Sequence, residues 1–322
     1  MRVVVVGAGA IGAPIAARLF DRGRSVLLVA RGANYEAIAR RGLSIVTPDG
    51  ATVSKVEVVD GIKAIAYRDT DVVVLCVKSQ DSRQALNDLA SVVPARTPIF
   101  CAQNGVANER MALEGFSAVY GVCVLSPASY LEPGRVEVFS TPLLGVLDVG
   151  VWPRGTDAVA FELSSLLVDA GFASKVTPDV ETLKWGKLLS NVLNALEVLS
   201  GHDSLNDDLA RWALEEAEHC LTAHGVDVVR AGSMMHERSR LLTYHRIGGS
   251  WRVGSSTWQS VLRETGQIES DFLNGEIVEL GRRYAIPTPV NALLQRRANE
   301  MVRNHEPPGS ISLDDLRLLL DS

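Results

Sequence analysis

The opening of the chain limits its possible folds more than any other stretch. Arg2–Val6 places four valines in a row, and the turn GAGAIG (Gly7–Gly12) follows without a gap. β-Branched residues at that density read as a short buried strand. Beyond Gly12, the positions Ile15, Ala16, Leu19 and Phe20 fall on a helical period that runs to Gly23. Strand, glycine turn and helix N-terminus form the context of a dinucleotide-binding fingerprint. Gly7 permits the turn, Gly9 lets a pyrophosphate approach the backbone, and Gly12 lets helix and strand pack closely. The backbone from Gly7 through Ala8, Gly9, Ala10 and Ile11 to Gly12 is thus the candidate phosphate cradle, aided by the helix dipole.

The next pieces extend this into an α/β domain with a mostly parallel sheet. A second strand, Ser25–Val29, ends at Ala30-Arg31-Gly32. A site for NAD usually carries an acidic residue here; this chain offers Arg31, whose guanidinium suits a 2′-phosphate and points to NADP. Short β-like pieces between Gly42 and Val59 flank a Pro48-Asp49-Gly50 turn, as in a hairpin. Asp71–Val77 is apolar on both faces, a buried parallel strand that ends at Lys78. Pro98–Ala102 ends at Gln103-Asn104-Gly105. Ligands of doubly wound sheets lie at the carboxyl ends of strands, which puts Lys78 and Asn104 on the cofactor side, although Asn-Gly is also an ordinary turn pair. Strands are further expected at Ala118–Leu125, Gly134–Phe139, Leu143–Leu147 and Phe172–Val176, with a helix over Asp157–Ala170.

A domain boundary is expected at Thr177-Pro178, giving domains 1–177 and 178–322, the second all-α. Thr177–Gly201 reads as one helix, capped by Thr177 and closed by Gly201. Most of its circumference is apolar, yet Lys187, Asn191 and Asn194 sit at i, i+4 and i+7, with Lys184 nearly in line. At ~3.6 residues per turn these form one polar stripe. Such a stripe either faces solvent and neighbouring helices, or aims a lysine into a cleft where its ammonium gives up a proton. Further helices are expected over Asp207–His224, Met234–Tyr244, Glu269–Tyr284 and Val290–Asn304, with a short amphipathic piece from Leu313. The Gly/Ser-rich segment Ile247–Ser256 reads as a lid or site-lining loop. By position alone, Glu269 in a first turn merely complements the helix dipole.

Composition narrows the function classes. The 322 residues are 47% hydrophobic and 22% charged, with a net charge of −6 and scattered arginines, which argues against a nucleic-acid binder. No apolar run approaches the ~18 residues of a membrane helix, and the N-terminus lacks a signal-peptide layout. Cys76, Cys101, Cys123 and Cys220 have no metal-type spacing, so a reduced, cytoplasmic protein without a metal is expected. The histidines follow no ligand spacing, and no nucleophile elbow is present. Trp251, Trp258 and the C-terminal piece offer apolar surface to a second copy of the chain.

Several separated motifs together resemble the 2-dehydropantoate 2-reductases, or ketopantoate reductases: GAGAIG at Gly7, Arg31, CVKS around Lys78, QNG at Asn104, KLLSN at Lys187, SSTWQ at Ser256 and IESDFLNGEIVELG from Ile268. The resemblance spans almost the whole chain and rests on the order and spacing of the pieces. It implies NADPH-dependent reduction of a small 2-oxo acid, with the site between a Rossmann domain and a helical one. It further implies Lys187 as general acid and Asn104 at cofactor and substrate. Asn191 and Asn194 would hold substrate, Ser256 would meet its carboxylate, and Glu269 would stand beside substrate hydroxyl and nicotinamide. The departures lie around the substrate. Asn191 and Asn194 are three apart where the family often has four, and Ser260 stands where an acid commonly follows SxxQ. Val253 replaces an asparagine, and the Ser256–Glu269 distance is one residue longer than usual. Two other readings are a reductase of another keto acid or ketone, and a non-catalytic NADP-binding sensor.

Overall fold

The computed structural model describes residues 1–264 and 266–321. The chain forms two compact units. One comprises residues 1–103, 108–184 and 236–252; the other comprises 104–107, 185–235 and 253–322.

The first unit is built on a seven-stranded sheet and a smaller four-stranded one. Its strands are β1 (Arg2–Val6), β2 (Val26–Ala30), β3 (Leu43–Thr47), β4 (Gly50–Ser54), β5 (Val58–Asp60), β6 (Asp71–Leu75), β7 (Ile99–Cys101), β8 (Val119–Leu125), β9 (Ala128–Glu132), β10 (Arg135–Val138) and β11 (Val146–Val151). The large sheet has the order β11-β8-β7-β6-β1-β2-β5, parallel throughout except for β11 against β8. The order reverses beside β1, which is the Rossmann-type switch point. Around it stand α1 (Gly12–Asp21), α2 (Gly32–Arg41), α3 (Ser79–Ala90), α4 (Ala107–Leu113) and α5 (Ala158–Asp169). The valines of β1 are fully buried, as a strand covered on both faces requires. The hairpin expected around Pro48-Asp49-Gly50 is β3–β4, and it belongs to the second sheet, in the order β4-β3-β10-β9.

Two expectations for this unit are corrected. The strand expected at Leu143–Leu147 lies at Val146–Val151, because pairing to β8 starts at Val146 opposite Leu125. Phe172–Val176 is not a regular strand. It runs along β11 through isolated parallel bridges at Ala173 and Val176.

The helices of the remaining chain are α6 (Val180–Asn191), α7 (Leu193–Ser200), α8 (Asp208–Ala223), α9 (Val228–Ser239), α10 (Ser256–Leu262), α11 (Asn274–Tyr284), α12 (Pro289–Arg303) and α13 (Leu313–Asp321). A second core gathers Leu196, Leu199, Leu209, Leu294, Met301 and Leu316. The chain thus combines an N-terminal Rossmann-type domain with a helical C-terminal one. The single helix expected over Thr177–Gly201 is interrupted at Val192. Its carbonyl accepts a hydrogen bond from the Asn274 side-chain amide at 2.9 Å, which competes with the helical ladder. The helix expected at Met234–Tyr244 starts earlier and ends at Ser239; Tyr244 instead bridges to Ser140. Glu269 does not open a helix either. It precedes a 3₁₀ turn over Ser270–Phe272, and α11 starts only at Asn274. Ser256 is the first residue of α10 rather than part of a loop. Trp258 packs against the second core rather than offering a free face.

Candidate active site

The glycine turn joins β1 to α1 at the carboxyl edge of the large sheet, where a short β-branched strand must hand over to a helix. Gly7 has φ +107°, and a Cβ on Gly12 would stand 2.0 Å from the Gly7 carbonyl oxygen. Only glycine fits either position. A Cβ on Gly9, in contrast, would meet nothing within 4 Å. That open space leaves the backbone beside the helix N-terminus accessible to a pyrophosphate, so the turn is compatible with the dinucleotide expected from sequence. Asn34 secures the turn: its amide donates to the Ala8 carbonyl at 2.9 Å and its oxygen accepts from the Gly134 amide at 2.8 Å. Sequence reasoning missed Asn34, whose partners lie far along the chain.

Arg31 precedes α2, with its side chain 70% exposed and 4.0 Å from the Asp81 carboxylate. Lys78 occupies the N-cap position of α3, past the end of β6. The first unit therefore holds Gly7–Gly12, Arg31 and Lys78.

Asn104, Lys187, Asn191, Asn194, Ser256 and Glu269 all belong to the second unit. Gly105 has φ +75°, and a Cβ there would lie 2.9 Å from the Phe272 carbonyl oxygen. The loop carrying Asn104 thus leans on the turn that follows Glu269. Glu269 itself is buried. On α6, Lys187 Nζ donates to Ser190 Oγ at 3.2 Å, and Ser190 Oγ donates back to the Lys187 carbonyl at 2.8 Å. One turn on, Asn191 is 4% exposed and its Nδ2 has no hydrogen-bond partner among the described residues. The register of this segment is held by a buried chain. Asn274 bonds Asn291 at 3.0 Å, and Asn291 bonds Glu216, which also accepts from the amides of Val290 and Asn291. Burial still lifts the Glu216 carboxyl above its ordinary value despite these donors. Ser256 follows the cap residue Ser255, whose amide donates to buried Glu197 at 2.9 Å.

Lys184 leaves the expected stripe. It is 3% exposed and ion-paired with buried Glu109 on α4. Among the cysteines, burial pushes the Cys220 thiol up to about 11 and those of Cys76 and Cys101 higher, so none of these three is a thiolate near neutral pH. Among the described residues, no helix is long and apolar enough to cross a membrane.

Known structures share this architecture. A PanE/ApbA family ketopantoate reductase from Ralstonia eutropha JMP134 superposes with a TM-score of 0.78 at 25% identity, over 95% of this chain and all of that one. D-Mandelate dehydrogenase with NADH and anilino(oxo)acetate shares the fold at a TM-score of 0.79 and 20% identity, over 95% of this chain and 99% of that one. In sequence, a 2-dehydropantoate 2-reductase of Pyrococcus horikoshii is 29% identical over 300 residues, 91% of this chain and 95% of the relative. One from Mycobacterium tuberculosis is 28% identical over 302 residues, with the same shares covered. The class follows: this is a Rossmann-type oxidoreductase acting on CH–OH and C=O groups. The model of ketopantoate reductase PanE/ApbA matches residues 3–153, and that of the family's C-terminal domain matches residues 179–302. The chain belongs to the ketopantoate reductase family.

Proposed function

We propose that the protein reduces 2-dehydropantoate to pantoate with NADPH, with Lys187 as the general acid. The observation that carries this reading is Asn191, a buried amide with an unsatisfied donor one helical turn from a lysine. Burying a polar group without a partner is costly, and a substrate oxygen supplies the missing acceptor.

When bound, the nicotinamide supplies the hydride, and the protein's task is alignment and charge. The backbone amides of Gly7–Gly12 would hold the diphosphate and Arg31 the 2′-phosphate, with Lys78 on the cofactor side. Asn104 and Glu269 position the nicotinamide half and the substrate hydroxyl. Ser256 binds the carboxylate of the 2-oxo acid, and Asn191 and Asn194 hold its oxygen functions. Ser190 orients the Lys187 ammonium, which stabilises the forming alkoxide and then gives it a proton. General acid catalysis of this kind is worth about 10²–10⁴-fold.

A panel of 2-oxo acids tests the reading, with consumption of reduced nicotinamide followed for NADPH and NADH separately. Ketopantoate with NADPH should give the highest kcat/KM; no turnover with any acid would overturn the assignment. A second reading, reduction of a different 2-oxo acid, is favoured by the substrate-side departures at Val253, Ser260 and Asn194. The break at Val192 adds to these, because it stands between Asn191 and Asn194. We further propose a homodimer. A ketopantoate reductase from Staphylococcus aureus of the same fold is described as dimeric, and Leu318 on α13 is 70% exposed here.

A further inference from the structure

The ammonium of Lys184 is buried away from water and surrounded by three oxygens. It ion-pairs with Glu109 Oε1 and donates to the carbonyls of Cys101 at 3.4 Å and Gln103 at 3.1 Å. Cys101 is the last residue of β7, and Gln103 immediately precedes Asn104. Glu109 is on α4, which begins two residues after Gly105. One cation therefore grips the polypeptide on both sides of the segment from Asn104 to Ala107.

The grip is continued by side chains. Gln103 Nε2 donates to the Val77 carbonyl at 2.9 Å and to Ser82 Oγ at 2.6 Å. Ser82 Oγ in turn donates to Asn108 Oδ1 at 2.7 Å, and Asn108 Nδ2 donates to Ser79 Oγ at 3.1 Å. The ends of β6 and β7 and the starts of α3 and α4 are thus tied into one buried polar network. Gln103 Oε1 and Glu109 Oε2 are buried without hydrogen-bond partners among the described residues. An apolar core would avoid such a costly arrangement, and stability alone gives it no reason, since buried ion pairs are often replaceable by hydrophobes.

We propose that Lys184 and Glu109 are positioning residues that fix the orientation of the Asn104 side chain, which meets cofactor and substrate in the proposed reaction, without touching either themselves. The inference rests on the function proposed above. Removing one partner alone strands a buried charge and unfolds the protein in part, so the informative variant is the double replacement Lys184→Met with Glu109→Leu. Its thermal midpoint should fall only as far as loss of the donor to the Cys101 and Gln103 carbonyls requires, with the protein still folded, while KM for ketopantoate rises at least tenfold. Asn104→Ala should cost much less in that background than in the wild-type one. Wild-type kinetic constants in the double variant, or an undiminished cost of Asn104→Ala, would show that the pair serves stability only. If the double variant does not fold, Lys184→Arg decides. It keeps the charge, but its planar fork cannot serve the same three oxygens, so KM should rise at unchanged stability; an unchanged KM overturns the proposal. Amide hydrogen exchange over residues 104–107, measured without substrate, should be faster in the folded variant than in the wild type. That comparison stands even if no keto acid is turned over, so it separates failure of this inference from failure of the proposed reaction.

Discussion

Lys184 and Lys187 lie three residues apart on α6, and their surroundings divide their work. Lys184 is enclosed with Glu109 and two carbonyls, its protons all committed inside the protein, whereas half-buried Lys187 is held by a neighbouring hydroxyl. The polar stripe was legible from spacing alone; which lysine is the buried one was not, because Glu109 lies 75 residues away in the chain. Asn191 was legible as a polar residue on an apolar helix, and its orphaned donor needed coordinates. Replacing Asn191 by Leu should raise KM for the keto acid by roughly tenfold or more at unchanged affinity for NADPH, the loss expected for one buried hydrogen bond of about 1–3 kcal/mol. At the other end of the proposed reaction, Arg31→Ala should weaken NADPH binding by about 1.5–3 kcal/mol, the worth of a charged hydrogen bond, and leave NADH binding unchanged. Titration with the two nucleotides checks this; equal loss for both would remove Arg31 from the 2′-phosphate.

At the scale of elements, β1, the glycine turn and α1 were legible because each is specified locally: β-branched density, glycines where a Cβ collides, a helical period. The misread elements were set by distant partners. Asn274 claims the Val192 carbonyl and splits a helix whose composition shows no break. Tyr244 pairs with Ser140, and the periodicity that suggested a helix there yields to an edge contact. Asn274→Leu should therefore destabilise the protein by about 1–3 kcal/mol, the cost of leaving a buried carbonyl unpaired, read as a lower thermal midpoint. The buried carboxyls make a second prediction. Burial raises Glu109, Asp148 and Glu216 above their ordinary values, offset only in part by Lys184, Arg238 and the Val290–Asn291 amides respectively. Above the unfolded value of about 4.3 for a glutamate, the folded chain then holds more protons than the unfolded one. Stability falls as pH rises through that window, and the contribution is fully present only below it. Glu216→Gln removes one share of this slope without stranding a charged partner, so thermal midpoints recorded against pH should fall less steeply for the variant. A steeper fall would mean that the Val290–Asn291 amides lower the carboxyl instead.

For the whole molecule, each unit supplies a different part of the proposed chemistry. The first offers a phosphate cradle and a 2′-phosphate site; the second offers an acid and the amides around it. The fold class was legible from the alternation of strands and helices followed by helices alone. The second, four-stranded sheet was not, since its strands come from two separate stretches of chain. A homodimer should appear as twice the chain mass in light scattering, and Leu318→Glu should convert it to the monomer. The central claim is that Lys187 gives the proton, and Lys187→Ala tests it most directly when NADPH affinity and keto-acid turnover are measured on the same preparation. NADPH should bind as in the wild type while turnover falls by at least about 10²-fold, the contribution of a general acid. Turnover at the wild-type rate would contradict the account, as would parallel loss of binding and turnover, which would make the lysine a structural residue.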